Sequence, residues 1–273
     1  MTAGNLSNLF VYATILILLL ALITYSVALG DSDKARKNEN IGTAFTWLAF
    51  GILLVAVVLR GISSQRAPWG NMYEFAITSS LAILGAYLFV SLKKEIKYLG
   101  VFVVLPSVLL LGLAVTVLYT EAGPLVPALR SGWLVVHVSA AIISYGAFSV
   151  NFALSVLVLL RGRFKFSRVP ATERLDELAY RTALFAFPIW TFSVIAGAIW
   201  AENAWGRYWG WDPKETWAFI TWLIYAAYLH ARVTRGWSGK KAAAIALTAY
   251  ASIVFNFFGV NLWITGLHSY AGV

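Results

Sequence analysis

The sequence predicts an all-α integral membrane protein with about eight transmembrane helices. Sixty per cent of its 273 residues are apolar and only 12% are charged. Runs of about twenty apolar residues recur along the whole length, enough to cross a ~30 Å hydrocarbon core as helix. The basic residues gather in alternate loops. No polar segment is long enough to fold as a soluble domain, so residues 1–273 are read as a single polytopic membrane domain.

The expected spans, in order, are 9–29, 41–59, 75–92, 98–119, 132–160, 183–200, 213–231 and 242–263. Pro106 and Pro188 fall inside the fourth and sixth, where a kinked membrane helix tolerates them. The stretch MTAGNLSNLF lacks a basic n-region and a cleavage site, so the first span is expected to be retained. Loops 31–40, 93–97, 161–181 and 232–241 hold 16 of the 21 Lys and Arg residues. The other side holds only Arg60, Arg66, Arg130, Arg207 and Lys214. The first set is expected in the cytoplasm, which puts both termini on the outer side. The net charge of +9 then reflects topology rather than nucleic-acid binding, and the expected surroundings are a lipid bilayer.

Cysteine is absent. The chain therefore offers no disulfide, thiol relay or thiolate metal ligand. Its chemistry must come from elsewhere, and the stretch WGRYWGWDPKETWA (205–218) is the place to look. Trp200, Trp205, Trp209, Trp211, Trp217 and Trp222 are half of the twelve tryptophans. An interfacial belt explains one or two indoles per helix end. Indoles interleaved with Gly206 and Gly210 also suit stacking on a large planar molecule, since glycine permits close approach. Asp212, Pro213 and Glu215 read as a capping box that starts the seventh span, and a ligand contact by the same acids is compatible with that role.

The three histidines fall at two depths. His230 follows Asp212 by 18 residues, about 27 Å along a helix, and so sits near the inner edge. His137 lies about two turns inside the fifth span, and His268 follows the eighth. Both belong to the outer side, with the tryptophan segment 200–217. A histidine in a span is a functional candidate, with a hydrogen-bonded packing role as the alternative. Two outer histidines beside an aromatic platform fit bis-histidine ligation of a haem iron. Zinc would require a third or fourth ligand that the outer side lacks.

The tryptophan stretch closely resembles the WWD signature of haem-handling proteins of cytochrome c assembly. The order outer His137, signature, His230, outer His268 resembles the CcsA/ResC type, named CcsB in some bacteria. APWGNMYEF (67–75) is similar to that family's Pro-x-x-Asn-x-Tyr-Glu segment. The resemblance covers residues 67–270. It implies the membrane subunit of a System II cytochrome c synthase, a haem lyase working with a ResB/Ccs1-type membrane subunit. Such a protein binds haem b, moves it outward and presents it to apocytochrome c. Thioether bonds then form to a Cys-x-x-Cys-His motif. By this match His137 and His268 are the outer axial ligands and His230 the inner one. Trp205, Gly206, Trp209, Gly210, Trp211 and Asp212 surround the outer haem, and Arg207 and Lys214 are candidates for its propionates. Only one histidine of this chain serves the inner station, so if the inner haem is also bis-histidine its second ligand must come from another polypeptide. Without cysteine, thiol reduction falls to other proteins upstream. The implied location is the bacterial cytoplasmic membrane, or the thylakoid membrane in a plastid. The competing readings are a haem exporter or chaperone without synthase activity, a secondary transporter of another substrate, and a structural subunit. Glu74, Glu121 and Glu202 carry no assignment.

Overall fold

A computed structural model describes residues 2–30, 34–93, 96–123, 129–161, 163–164 and 168–268. The chain ends, and residues 269–270 of the 67–270 region, lie outside the described residues. All regular structure among the described residues is helical. Each expected span falls largely on a helix: α1 (Ala3–Gly30), α2 (Ala35–Ser64), α3 (Met72–Lys93), α4 (Gly100–Thr116, three residues short of the expected end), α5 (Gly132–Leu160), α6 (Thr172–Trp205), α7 (Pro213–Arg235) and α8 (Gly239–Val254). A 3₁₀ turn, Lys97–Leu99, leads into α4. A π turn, Phe255–Gly259, and a short α9, Val260–Trp263, carry α8 onward.

Seven of these stretches are long and apolar enough to cross a membrane. The exception is α7, whose Lys214, Glu215, His230, Arg232 and Arg235 dilute its apolar residues. α6 starts well before its expected span. Its first turns are amphipathic, burying Leu175, Asp176 and Ala179, so the helix continues past the apolar window that hydropathy detects.

The chain falls into two compact units: Met1–Gly123 with Arg161–Pro170, and Pro124–Leu160 with Ala171–Val273. In the first unit α1 and α2 form the most extensive packing pair. One end is pinned by hydroxyls, with Tyr25 Oη donating to Thr43 Oγ1 at 3.1 Å and Tyr87 Oη to Tyr25 Oη at 3.0 Å. Elsewhere in the unit, Glu74 accepts from Arg60 Nε at 3.0 Å and Arg66 Nη1 at 2.6 Å. Glu74 and Arg60 are fully buried, so this carboxylate is neutralised and structural. Asn71 caps α3 by accepting from Glu74 N at 2.8 Å. The Asn-x-Tyr-Glu pattern is thus a helix start locked to two arginines.

In the second unit α5 packs along α6, and α7 and α8 close around the aromatic core of Phe148, Trp190, Tyr225 and Tyr228. Alanines from α6 and α8 let the helices approach: Ala183, Ala186, Ala246 and Ala249 are fully buried. Phe148 stacks on Tyr225 with centroids 3.8 Å apart. Thr221 and Ser252 hydroxyls, 2.8 Å apart, join α7 to α8. Asp176 pairs with Arg232 and accepts from Gly239 N at 3.0 Å. This anchors the α7–α8 turn to the start of α6.

Candidate functional site

The candidate site lies at the Trp205 end of the second unit, where α6 stops. α6 needs a left-handed residue to leave its last turn, and Gly206 supplies it with φ 71° while donating to Glu202 O at 2.8 Å. The loop then runs to Asp212, which starts α7. Asp212 Oδ1 accepts from Lys214 N at 3.1 Å, and Glu215 Oε2 accepts from Asp212 N at 3.1 Å and Gly210 N at 2.8 Å. The expected capping box is therefore present, with Pro213 at the first helical position.

On α6, Ser193, Gly197 and Trp200 recur at i, i+4 and i+7 and so share one face. That face receives His137 from α5. The carbonyl of Ser193 lies 2.8 Å from His137 Nδ1. A carbonyl can only accept, so Nδ1 carries the proton and Nε2 the lone pair. The Ser193 hydroxyl donates in turn to His137 O at 3.0 Å. A Cβ on Gly197 would stand 2.8 Å from the imidazole; glycine there makes room for the ring. His137 lies parallel to the Trp200 indole, with centroids 6.0 Å apart.

His268 approaches the same indole from the far end of the sequence. Its ring is edge-on to Trp200 at 5.6 Å and to Trp205 at 4.8 Å. Its Nδ1 donates to Asp212 Oδ1 at 2.7 Å, and Leu267 N donates to Asp212 Oδ2 at 2.6 Å. Again the second nitrogen holds the lone pair. Burial pushes the His268 ring below the usual imidazole value, and the Asp212 carboxylate opposes this only in part. Burial alone would raise Asp212, but His268 and the N–H groups of Leu267 and Lys214 hold it below the usual carboxylate value. The neutral ring and ionised acid that result form the carboxylate–histidine pair used behind metal ligands, where the acid orients the ring and strengthens its donor atom.

His137, His268, Trp200, Trp205 and Asp212 thus form one constellation. Trp209 and Trp211 instead pack with Phe219 of α7, at 6.3 and 6.2 Å, and Trp211 is exposed with φ 56°. Arg207 is exposed, and its guanidinium fills the space where a Cβ on Gly210 would go. His230 is exposed near the other end of α7, about 27 Å from Asp212 by helix rise. It belongs to no cluster with the other histidines. Among the described residues no group of three potential metal ligands occurs. Ser193, Gly197 and the seat they make were not singled out from the sequence; their helical spacing with Trp200 is the signal that reveals them.

The family described as cytochrome C assembly protein matches residues 69–268. The cytochrome c biogenesis protein CcsA of Guillardia theta is 36% identical, over 97% of this chain and 96% of its own. The protein of that name from Prochlorococcus marinus strain MIT 9313 is 38% identical, over 94% of this chain and 91% of its own. Among solved structures, the cytochrome c heme lyase CcmF superposes with a TM-score of 0.76 over 94% of this chain at 22% identity. The chain spans about half of that protein's length, 47%, and the likeness is one of fold.

Proposed function

Because the chain belongs to the cytochrome c assembly protein family and is a membrane protein of the CcsA type, we propose that it holds haem b between His137 and His268 and presents it to apocytochrome c. The observation that carries this reading is the pairing itself. Two histidines far apart in sequence meet on the Trp200 indole, each with Nδ1–H bound to an oxygen. That tautomer puts the lone pair of each ring on Nε2, the atom an axial ligand would use, and the donor set suits haem iron without any cysteine. Trp205 and Asp212 flank the same place. Haem supplies the reactive vinyl groups that form thioether bonds to a Cys-x-x-Cys-His motif. The chain's own residues bind, orient and shield.

His230 marks a second, inner station. An exposed histidine in the inner half of a membrane helix demands a partner. A ResB-type subunit covering that face of α7 would supply it and complete the inner ligand pair. In this reading the working unit is a haem lyase made of this chain and that subunit. It sits in the bacterial cytoplasmic membrane or the thylakoid membrane, and its thiol substrates are kept reduced by other proteins.

The test is maturation. The chain, a ResB-type subunit and an apocytochrome c are co-expressed, and covalent haem on the cytochrome is stained. The wild type is expected to mature it. The His137→Ala, His268→Ala double variant is expected to yield less than a tenth as much, with partial recovery in added imidazole. Unchanged maturation by the double variant without imidazole would overturn the reading.

A further inference from the structure

Lys214 is the second residue of α7, placed against the positive end of the helix dipole, where a cation is disfavoured. Two carboxylates lie within two residues, and neither pairs with the ammonium. Asp212 is spent on His268 and the N–H groups of Leu267 and Lys214. Glu215 Oε2 is spent on the N–H groups of Gly210 and Asp212. Among the described residues, the half-buried ammonium has one hydrogen bond, to Asn256 O at 3.4 Å, beyond the usual range.

The residue opposite is equally underused. Asn256 sits in the π turn, a feature that favours functional positions. The residue is 3% exposed. Its amide faces the first turn of α7 through a bond of 3.5 Å from Nδ2 to Lys214 O, and among the described residues its Oδ1 has no partner. A buried amide and an unpaired ammonium thus share one place. Asp212 Oδ1 accepts from both Lys214 N and His268 Nδ1, so the first turn of α7 adjoins the histidine pair.

Resting on the haem reading above, we propose that Lys214, with Asn256 opposite, is the carboxylate-binding pair of the site. It takes a propionate of the bound haem and selects the free acid over esterified porphyrins. Arg207, exposed on the loop, is the less suited of the two cations, since a charge-assisted bond is worth most where water is excluded.

The experiment titrates the purified full-length chain with haem and with haem dimethyl ester, followed by absorption. The wild type, Lys214→Met and Lys214→Arg are compared. The wild type is expected to bind the free acid at least about tenfold more tightly. Lys214→Met is expected to lose that preference with ester binding unchanged, which also shows that the site still folds. Lys214→Arg is expected to keep it. A wild type that binds acid and ester equally would overturn this assignment and leave the haem reading standing. Equal loss of both ligands in Lys214→Met would reassign Lys214 to structure. A wild type that binds neither would overturn both.

Discussion

Two helix starts in this molecule use one local device for different ends. α3 begins with Asn71 and Glu74, α7 with Asp212 and Glu215, each a cap followed three residues later by a glutamate. In the first unit Glu74 is closed between Arg60 and Arg66, with the carboxylate and the Arg60 guanidinium fully buried. In the second the caps face loop amides and a histidine, and Lys214 is left without a carboxylate. Capping fixes where a helix begins; what the acid meets next decides whether the start is a lock or a site.

That contrast can be broken by mutation. The largest effect is expected at the lock. Glu74→Ala strands the buried Arg60 charge and should lower stability by about 3–5 kcal/mol, read as a thermal melt in detergent. A melt like the wild type's would show that the cluster holds nothing together.

The site should respond in the opposite way. Asp212→Asn keeps a good cap but removes the carboxylate behind His268. Haem affinity should fall about 10–100-fold while the melt moves little. A shift of the melt with affinity intact would make Asp212 a second lock. The pH dependence follows from the same pair. The His268 ring is held below its usual value of about 6.5, so it stays neutral, and able to bind, at and above that pH. Haem retention should be level there and fall only in more acid solution. Asp212, more than Glu215, is what raises the ring, so Asp212→Asn should move the fall further into acid.

The smallest effect is expected at Gly197→Ala, where the new methyl would meet His137 at 2.8 Å. The ring must shift, and affinity should drop several-fold in a titration, with helical content unchanged. Affinity equal to the wild type's would show that the seat has slack.

Much of this was legible beforehand. The span 132–160 coincides with α5, because its apolar run is bounded by Gly132 and a basic loop. The capping box at Asp212 follows from side-chain chemistry within four residues. The start of α6 was not legible, because hydropathy registers membrane and not helix. The π turn at 255–259 has no sequence period of its own. At the site, the rarity of histidine singled out His137 and His268. The indole they share, Trp200, was hidden among six tryptophans, since nothing local separates an indole facing α5 from those packed on Phe219.

The most direct measurement is the absorption spectrum of the purified protein as wild type, His137→Gly and His268→Gly, each with and without imidazole. The account predicts a bis-histidine haem spectrum that weakens in both variants and returns with imidazole in both. A spectrum unchanged in either variant, or no haem in a folded wild type supplied with it, would contradict the pairing on Trp200 as a haem site.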